Sequence, residues 1–135
     1  SPLAGGILTG KYNDGVPEGS RFDSDNALLK SIFSNYFSEG KKEETLRRLK
    51  ALGEITKEVG CSQAQLALAW TLANENVSVC LFGATKISQI EDNIKAVEIY
   101  KKLTPEILQK IEEAIGNAPE PLTDFRNRKP FKAFR

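Results

Sequence analysis

The segment that most constrains this chain is Val77-Ser78-Val79-Cys80-Leu81-Phe82, a short apolar run entered after Asn74-Glu75-Asn76 and left through Gly83-Ala84-Thr85. A continuous apolar run rich in β-branched residues is the pattern of a strand buried on both faces in a parallel sheet. One such strand cannot cover its own edges, because a row of backbone donors and acceptors would stay unpaired. Its hydrogen-bonding partners are therefore expected from strands outside these 135 residues.

Helical patterns surround that run. Leu46, Leu49, Leu52, Ile55 and Val59 recur every three or four positions, with Lys50, Glu54 and Lys57 between them, which predicts an amphipathic helix ending at Gly60. Ser62 and Gln65 make a capping box, in which each side chain satisfies an orphan backbone donor. Leu66, Ala69, Trp70 and Ala73 then form one face of a helix over roughly 63–74, with Trp70 read as core packing. Ser88 and Glu91 form a second box, opening a helix with Ile90, Ile94 and Val97 inward. Thr104 as N-cap and Pro105 at the first helical position open another, carrying Leu108, Ile111 and Ile115 inward and closing at Gly116. Residues 23–42 hold Leu28, Leu29, Ile32, Phe33, Tyr36 and Phe37 in near-helical spacing and predict a short helix over the loop before it.

That loop, residues 1–26, is broken by Gly5, Gly6, Gly10, Gly15, Pro17 and Gly19, and long irregular loops of this kind usually bind something. The order of strand end, loop, helices, buried strand, helix and helix is that of the closing segment of an alternating α/β protein. The chain has no methionine, and Ser1-Pro2-Leu3-Ala4 reads like the end of a strand turning into a loop, so a piece of a longer protein is expected.

Composition leaves the partners open. Lysine plus arginine (19) nearly balance aspartate plus glutamate (18), and a net charge of +1 gives no field that would hold nucleic acid or an anionic membrane. Cys61 and Cys80 lie outside metal or redox spacing and predict free thiols in a reducing compartment. Apolar runs are too short to span a bilayer, and residues 1–12 lack the pattern of a signal peptide, so a cytoplasmic protein without membrane insertion is expected.

Gly5-Gly6-Ile7-Leu8-Thr9-Gly10-Lys11-Tyr12 matches a phosphate-binding P-loop as far as the lysine. Tyr12 then stands where that motif needs Ser or Thr, and Asn13-Asp14-Gly15-Val16-Pro17 stops the helix that should follow. Glycines beside a lysine still make anion-binding chemistry, since bare backbone permits close approach and an ammonium can pair with the anion. As plain loop residues, Lys11 and Arg21 would be solvated cations, and Gln89, Asp92 and Asn93 a polar helix face.

Ser1-Pro2-Leu3-Ala4-Gly5-Gly6, continuing through Lys11-Tyr12 to Ser20-Arg21, resembles the loop after the seventh strand of aldo-keto reductases. Leu81-Phe82-Gly83-Ala84-Thr85 with Gln89, Asp92 and Asn93 is similar to the eighth strand and its helix in the same family, and features around Trp70 and Gly116-Asn117 resemble the potassium-channel beta subunits within it. The resemblance implies the C-terminal portion of a (β/α)8 TIM barrel, over residues 1–124, followed by an irregular basic C-terminal tail at 125–135. It implies an NADP-dependent reductase of aldehydes and ketones, with a small carbonyl substrate and NADPH/NADP as cofactor. Ser1, Pro2, Leu3, Ala4, Gly5, Gly6, Lys11, Arg21, Gly83, Thr85, Gln89, Asp92 and Asn93 are the implied cofactor contacts. The alternative it implies is a regulatory subunit that uses bound NADP(H) as a redox sensor on a potassium channel alpha subunit; a homo-oligomer fits either reading. The family's catalytic tetrad of tyrosine, lysine, aspartate and histidine is not recognisable here, and the chain has no histidine, so no catalytic residue is assigned.

Overall fold

The computed structural model describes residues 1–117. The basic tail and the end of the expected domain at residue 124 lie outside them.

Among the described residues the chain is helical. A 3-10 segment, Ala4–Thr9, interrupts the expected loop, and six α-helices follow: α1 (Ala27–Phe37), α2 (Lys42–Val59), α3 (Gln63–Leu72), α4 (Ile87–Asn93), α5 (Ala96–Tyr100) and α6 (Pro105–Ile115). Local chemistry sets most of their ends. The Asn26 side chain accepts from the backbone N–H groups of Leu28 and Leu29 at the start of α1. Glu43 and Glu44 lie in the first turn of α2 and Lys57 in the last, each complementing the helix dipole. Gly60 ends α2 and Gly116 ends α6, both in the left-handed region that only glycine enters cheaply. The Ser62–Gln65 capping box is present in both directions, and Thr104 caps α6 with Pro105 behind it.

Three apolar clusters hold these elements together. Ile7, Tyr12, Phe22 and Leu49 form the first, with Leu29, Ile32, Phe33, Tyr36 and Phe37 of α1 packed on it, so α1 does cover the glycine-rich loop. Leu52 and Ile55 of α2, Leu66 of α3 and Ile111 of α6 form the second. Leu68 and Ala69 of α3 meet Ala96 and Ile99 of α5 in the third. Each fully buried leucine or isoleucine contributes roughly 1.5–3 kcal/mol. α3 is thus the central wedge, burying one side against α2 and α6 and the other against α5.

Four expectations are corrected. Residues 77–82 form no strand, and among the described residues no sheet exists. Val79 and Leu81 are instead 66% and 77% exposed, as follows for an extended apolar segment with no neighbouring strand to pair with. Ser88 and Glu91 do not cap a helix: α4 starts at Ile87 behind an extended Lys86, and no side chain caps it. Ile90, Ile94 and Val97 face outward, because the helix breaks between α4 and α5 and the inward positions fall to Asn93, Ala96 and Ile99. Trp70 is 38% exposed rather than core, since Leu66, Leu68 and Ala69 fill the buried faces of α3.

Candidate functional site

The glycine-rich loop winds tightly. Ala4, Gly5 and Gly6 adopt φ of 47°, 70° and 110°, three successive residues in the positive region. Only glycine does this without strain, and Ala4 is the one non-glycine residue with positive φ among those described. The turn consumes its own donors: Ala4 N–H donates to the Ser1 carbonyl at 3.1 Å and Gly6 N–H to the Leu3 carbonyl at 2.8 Å. Gly5 N–H reaches the Ser1 hydroxyl at 3.5 Å, and the Thr9 hydroxyl donates to the Gly6 carbonyl at 2.7 Å. The backbone therefore shapes the turn, and the donor left to face an anion is a side chain.

That side chain is Lys11. Its ammonium lies 4.9 Å from the centroid of the Tyr12 ring. A Cβ added at Gly6 would sit 3.5 Å from Lys11 Cε and 3.7 Å from its Nζ, so the lysine runs directly along the bare glycine. Among the described residues neither Lys11 nor Arg21 forms an ion pair. A positive-φ turn with an uncompensated ammonium beside it fits an anionic group, and a side chain at Gly6 would fill the approach.

The second motif is organised by Gln89. Its Oε1 accepts from Thr85 N–H at 2.8 Å and from the Thr85 hydroxyl at 3.4 Å, closing the loop after Gly83 onto α4. Asp92 faces the opposite way. Its carboxylate accepts from Gln65 Nε2 at 2.8 Å and from the Ser62 hydroxyl at 3.2 Å, at the N-terminus of α3. Asn93 is buried on the inner side of α4. The two motifs meet through Ser1 and Pro2, which share an apolar cavity of about 600 Å³ with Val79, Cys80, Leu81 and Trp70. Lys11, Arg21, Thr85 and Gln89 are not on its wall, and among the described residues no hydrogen bond joins the Lys11–Arg21 loop to Thr85, Gln89, Asp92 or Asn93.

Both cysteines are free and border the third cluster. Burial pushes the Cys61 thiol above its ordinary range against the pull of Lys102. Burial does the same to Cys80, opposed by a hydrogen bond with Thr71. Raised thiols do not make ready nucleophiles.

Tyr12 and Thr9 belong to the glycine-rich motif but carry no expected cofactor role, although both lie against the Gly6 turn. The signal for Tyr12 lay in Phe22 and Phe33, aromatic residues that an adjoining tyrosine would be expected to join.

The aldo/keto reductase family model matches residues 1–115, and the chain belongs to that family. It is 48% identical over 119 residues, 88% of this chain and 33% of the relative, to a Schizosaccharomyces pombe protein provisionally named as a voltage-gated potassium channel subunit beta. Similarly named proteins of Arabidopsis thaliana and Oryza sativa subsp. japonica are each 42% identical over 127 residues, 93% of this chain and 37% of theirs. The chain thus spans about a third of the length of the curated relatives it matches. Among the described residues no helix is long and apolar enough to cross a membrane.

Proposed function

We propose that this chain supplies the nucleotide-binding part of an NADPH-dependent reductase of aldehydes and ketones. In this reading it is the C-terminal portion of a (β/α)8 barrel, with residues 77–82 as a strand that pairs with strands of the longer protein. The observation that carries it is the uncompensated Lys11 ammonium lying along Gly6 in a turn of successive positive φ. When bound, the nicotinamide supplies hydride to the carbonyl carbon. The residues here hold and orient: Ser1, Pro2, Leu3, Ala4, Gly5 and Gly6 shape the surface along the pyrophosphate, and Lys11 neutralises phosphate. Arg21, Gly83, Thr85 and Gln89 hold the adenosine end, with Asp92 and Asn93 on the same helix. The protein works in the cytoplasm.

A second reading is supported by the relatives, whose names are those of potassium channel beta subunits. In it the same nucleotide contacts serve a regulator docked on a channel alpha subunit. Both readings share one test. Full-length protein titrated with NADPH and NADH is expected to prefer NADPH, and Arg21→Ala to weaken NADPH by roughly ten- to a hundred-fold, the loss of a charge-assisted contact of about 1.5–3 kcal/mol. Equal affinity for the two nucleotides would overturn the assignment. Turnover of aldehydes by that protein separates the reductase from the regulator.

A further inference from the structure

We infer that Tyr12 is a positioning residue for Lys11, its ring fixing the ammonium at the Gly6 turn before an anionic ligand arrives. The inference rests on the reading of Lys11 as a cofactor-phosphate contact. Tyr12 is only 1% exposed, and its ring is clamped by Phe22 at 5.0 Å and Phe33 at 6.1 Å between centroids. Phe33 is in turn stacked on Phe37 at 4.5 Å, so α1 backs the whole aromatic array. The ring that carries Lys11 is therefore as fixed as the helix behind it.

Three parts converge on one point. A Cβ at Gly6 would lie 3.5 Å from both Tyr12 Cε2 and Lys11 Cε, so ring and lysine stem both border the open side of the Gly6 turn, with the ammonium 4.9 Å from the ring centroid. The ring face is negative and attracts the ammonium, while the remaining ammonium protons stay free for a ligand. The Tyr12 hydroxyl is buried and has no hydrogen-bond partner among the described residues, so the ring rather than the phenol makes the contact. Lysine carries one of the largest side-chain entropies, and holding it in place beforehand removes part of that cost from binding.

The test compares two rings of similar size at position 12 that differ chiefly in charge distribution. In the full-length protein, position 12 carries phenylalanine or a ring-trifluorinated phenylalanine, each with Lys11 and with Lys11→Ala. NADPH affinity is read by fluorescence titration and folding by the thermal midpoint. Tyr12→Phe is expected to bind as the wild type does. The fluorinated ring is expected to bind about two- to five-fold more weakly, the range of an exposed cation–π contact, with an unchanged midpoint. That loss disappears in the Lys11→Ala background. Equal affinity of the two rings, or a loss that persists without Lys11, overturns the role of Tyr12 and leaves the cofactor reading standing. If Lys11→Ala itself leaves NADPH affinity unchanged, the phosphate assignment of Lys11 falls and Tyr12 falls with it.

Discussion

The side-chain amide of Gln65 donates to Asp92 twice, to its carboxylate at 2.8 Å and to its main-chain carbonyl at 3.1 Å. The other end of the same amide, Oε1, accepts from Ser62 N–H at 3.1 Å within the capping box. Every polar atom of a buried glutamine is thereby used, and α3 is tied to α4 across 27 positions of sequence.

Removing the carboxylate should therefore cost stability. Asp92→Ala strips the buried Gln65 amide of its closest acceptor, and a loss of about 1–3 kcal/mol is expected in urea unfolding of the full-length protein. An unchanged midpoint combined with lost NADPH affinity would show that the carboxylate serves the nucleotide instead.

Gly10 closes the 3-10 segment with φ of 79°, and a Cβ there would run into the Gln63 side-chain oxygen. Gln63 is itself held, since its Nε2 donates to the Leu49 carbonyl. Gly10→Ala is expected to destabilise the full-length protein by about 1–3 kcal/mol, because neither backbone nor neighbour accommodates the methyl group. Gly15→Ala is the control: its φ is also positive, but nothing stands within 4 Å, so strain acts there alone. Equal thermal midpoints for the two variants would remove Gln63 from the argument.

Glu44 is gripped by Arg47 through two hydrogen bonds of 2.7 Å and by Arg48 at 2.9 Å. The Arg47 hydrogen bond holds its carboxyl down at about 2, below the ordinary 4.5. With the folded value depressed, the contribution to stability is full above the ordinary value, shrinks as pH falls from there toward about 2, and is gone below it. The group lies at the surface, so the effect on unfolding is small. Carbon-detected titration of the Glu44 carboxyl is expected to show the low midpoint, and Arg47→Gln to raise it; a midpoint near 4.5 in the wild type would refute the pairing.

What could be read in the sequence was whatever a few neighbouring residues settle among themselves. The end of α2 at Gly60, the Ser62–Gln65 box and the Thr104–Pro105 start of α6 are such features. The Ser88–Glu91 pair had the same spelling as the Ser62–Gln65 box, yet Gln89 Oε1 takes the Thr85 N–H and α4 begins before Ser88. The 77–82 segment is unpaired among the described residues for a different reason. Strand formation is decided by partners remote in sequence, and local β propensity supplies none. The glycines and Lys11 marked the candidate site, but that the turn spends amides on its own carbonyls, while the Lys11 ammonium lies along Gly6 without an ion pair among the described residues, depends on geometry that no motif spells out.

Trp70 is the chain's single tryptophan, half out of the protein on the wall of the cavity that Ser1 and Pro2 share with Cys80 and Leu81. Its indole N–H donates to Glu112 at 3.1 Å, so the ring bridges α3 and α6 while one side faces the cavity. An indole in that position is an optical reporter within this chain. Its emission colour and intensity track the polarity of the cavity without any attached dye, and a reduced nicotinamide held within energy-transfer range would quench it while brightening in its own band.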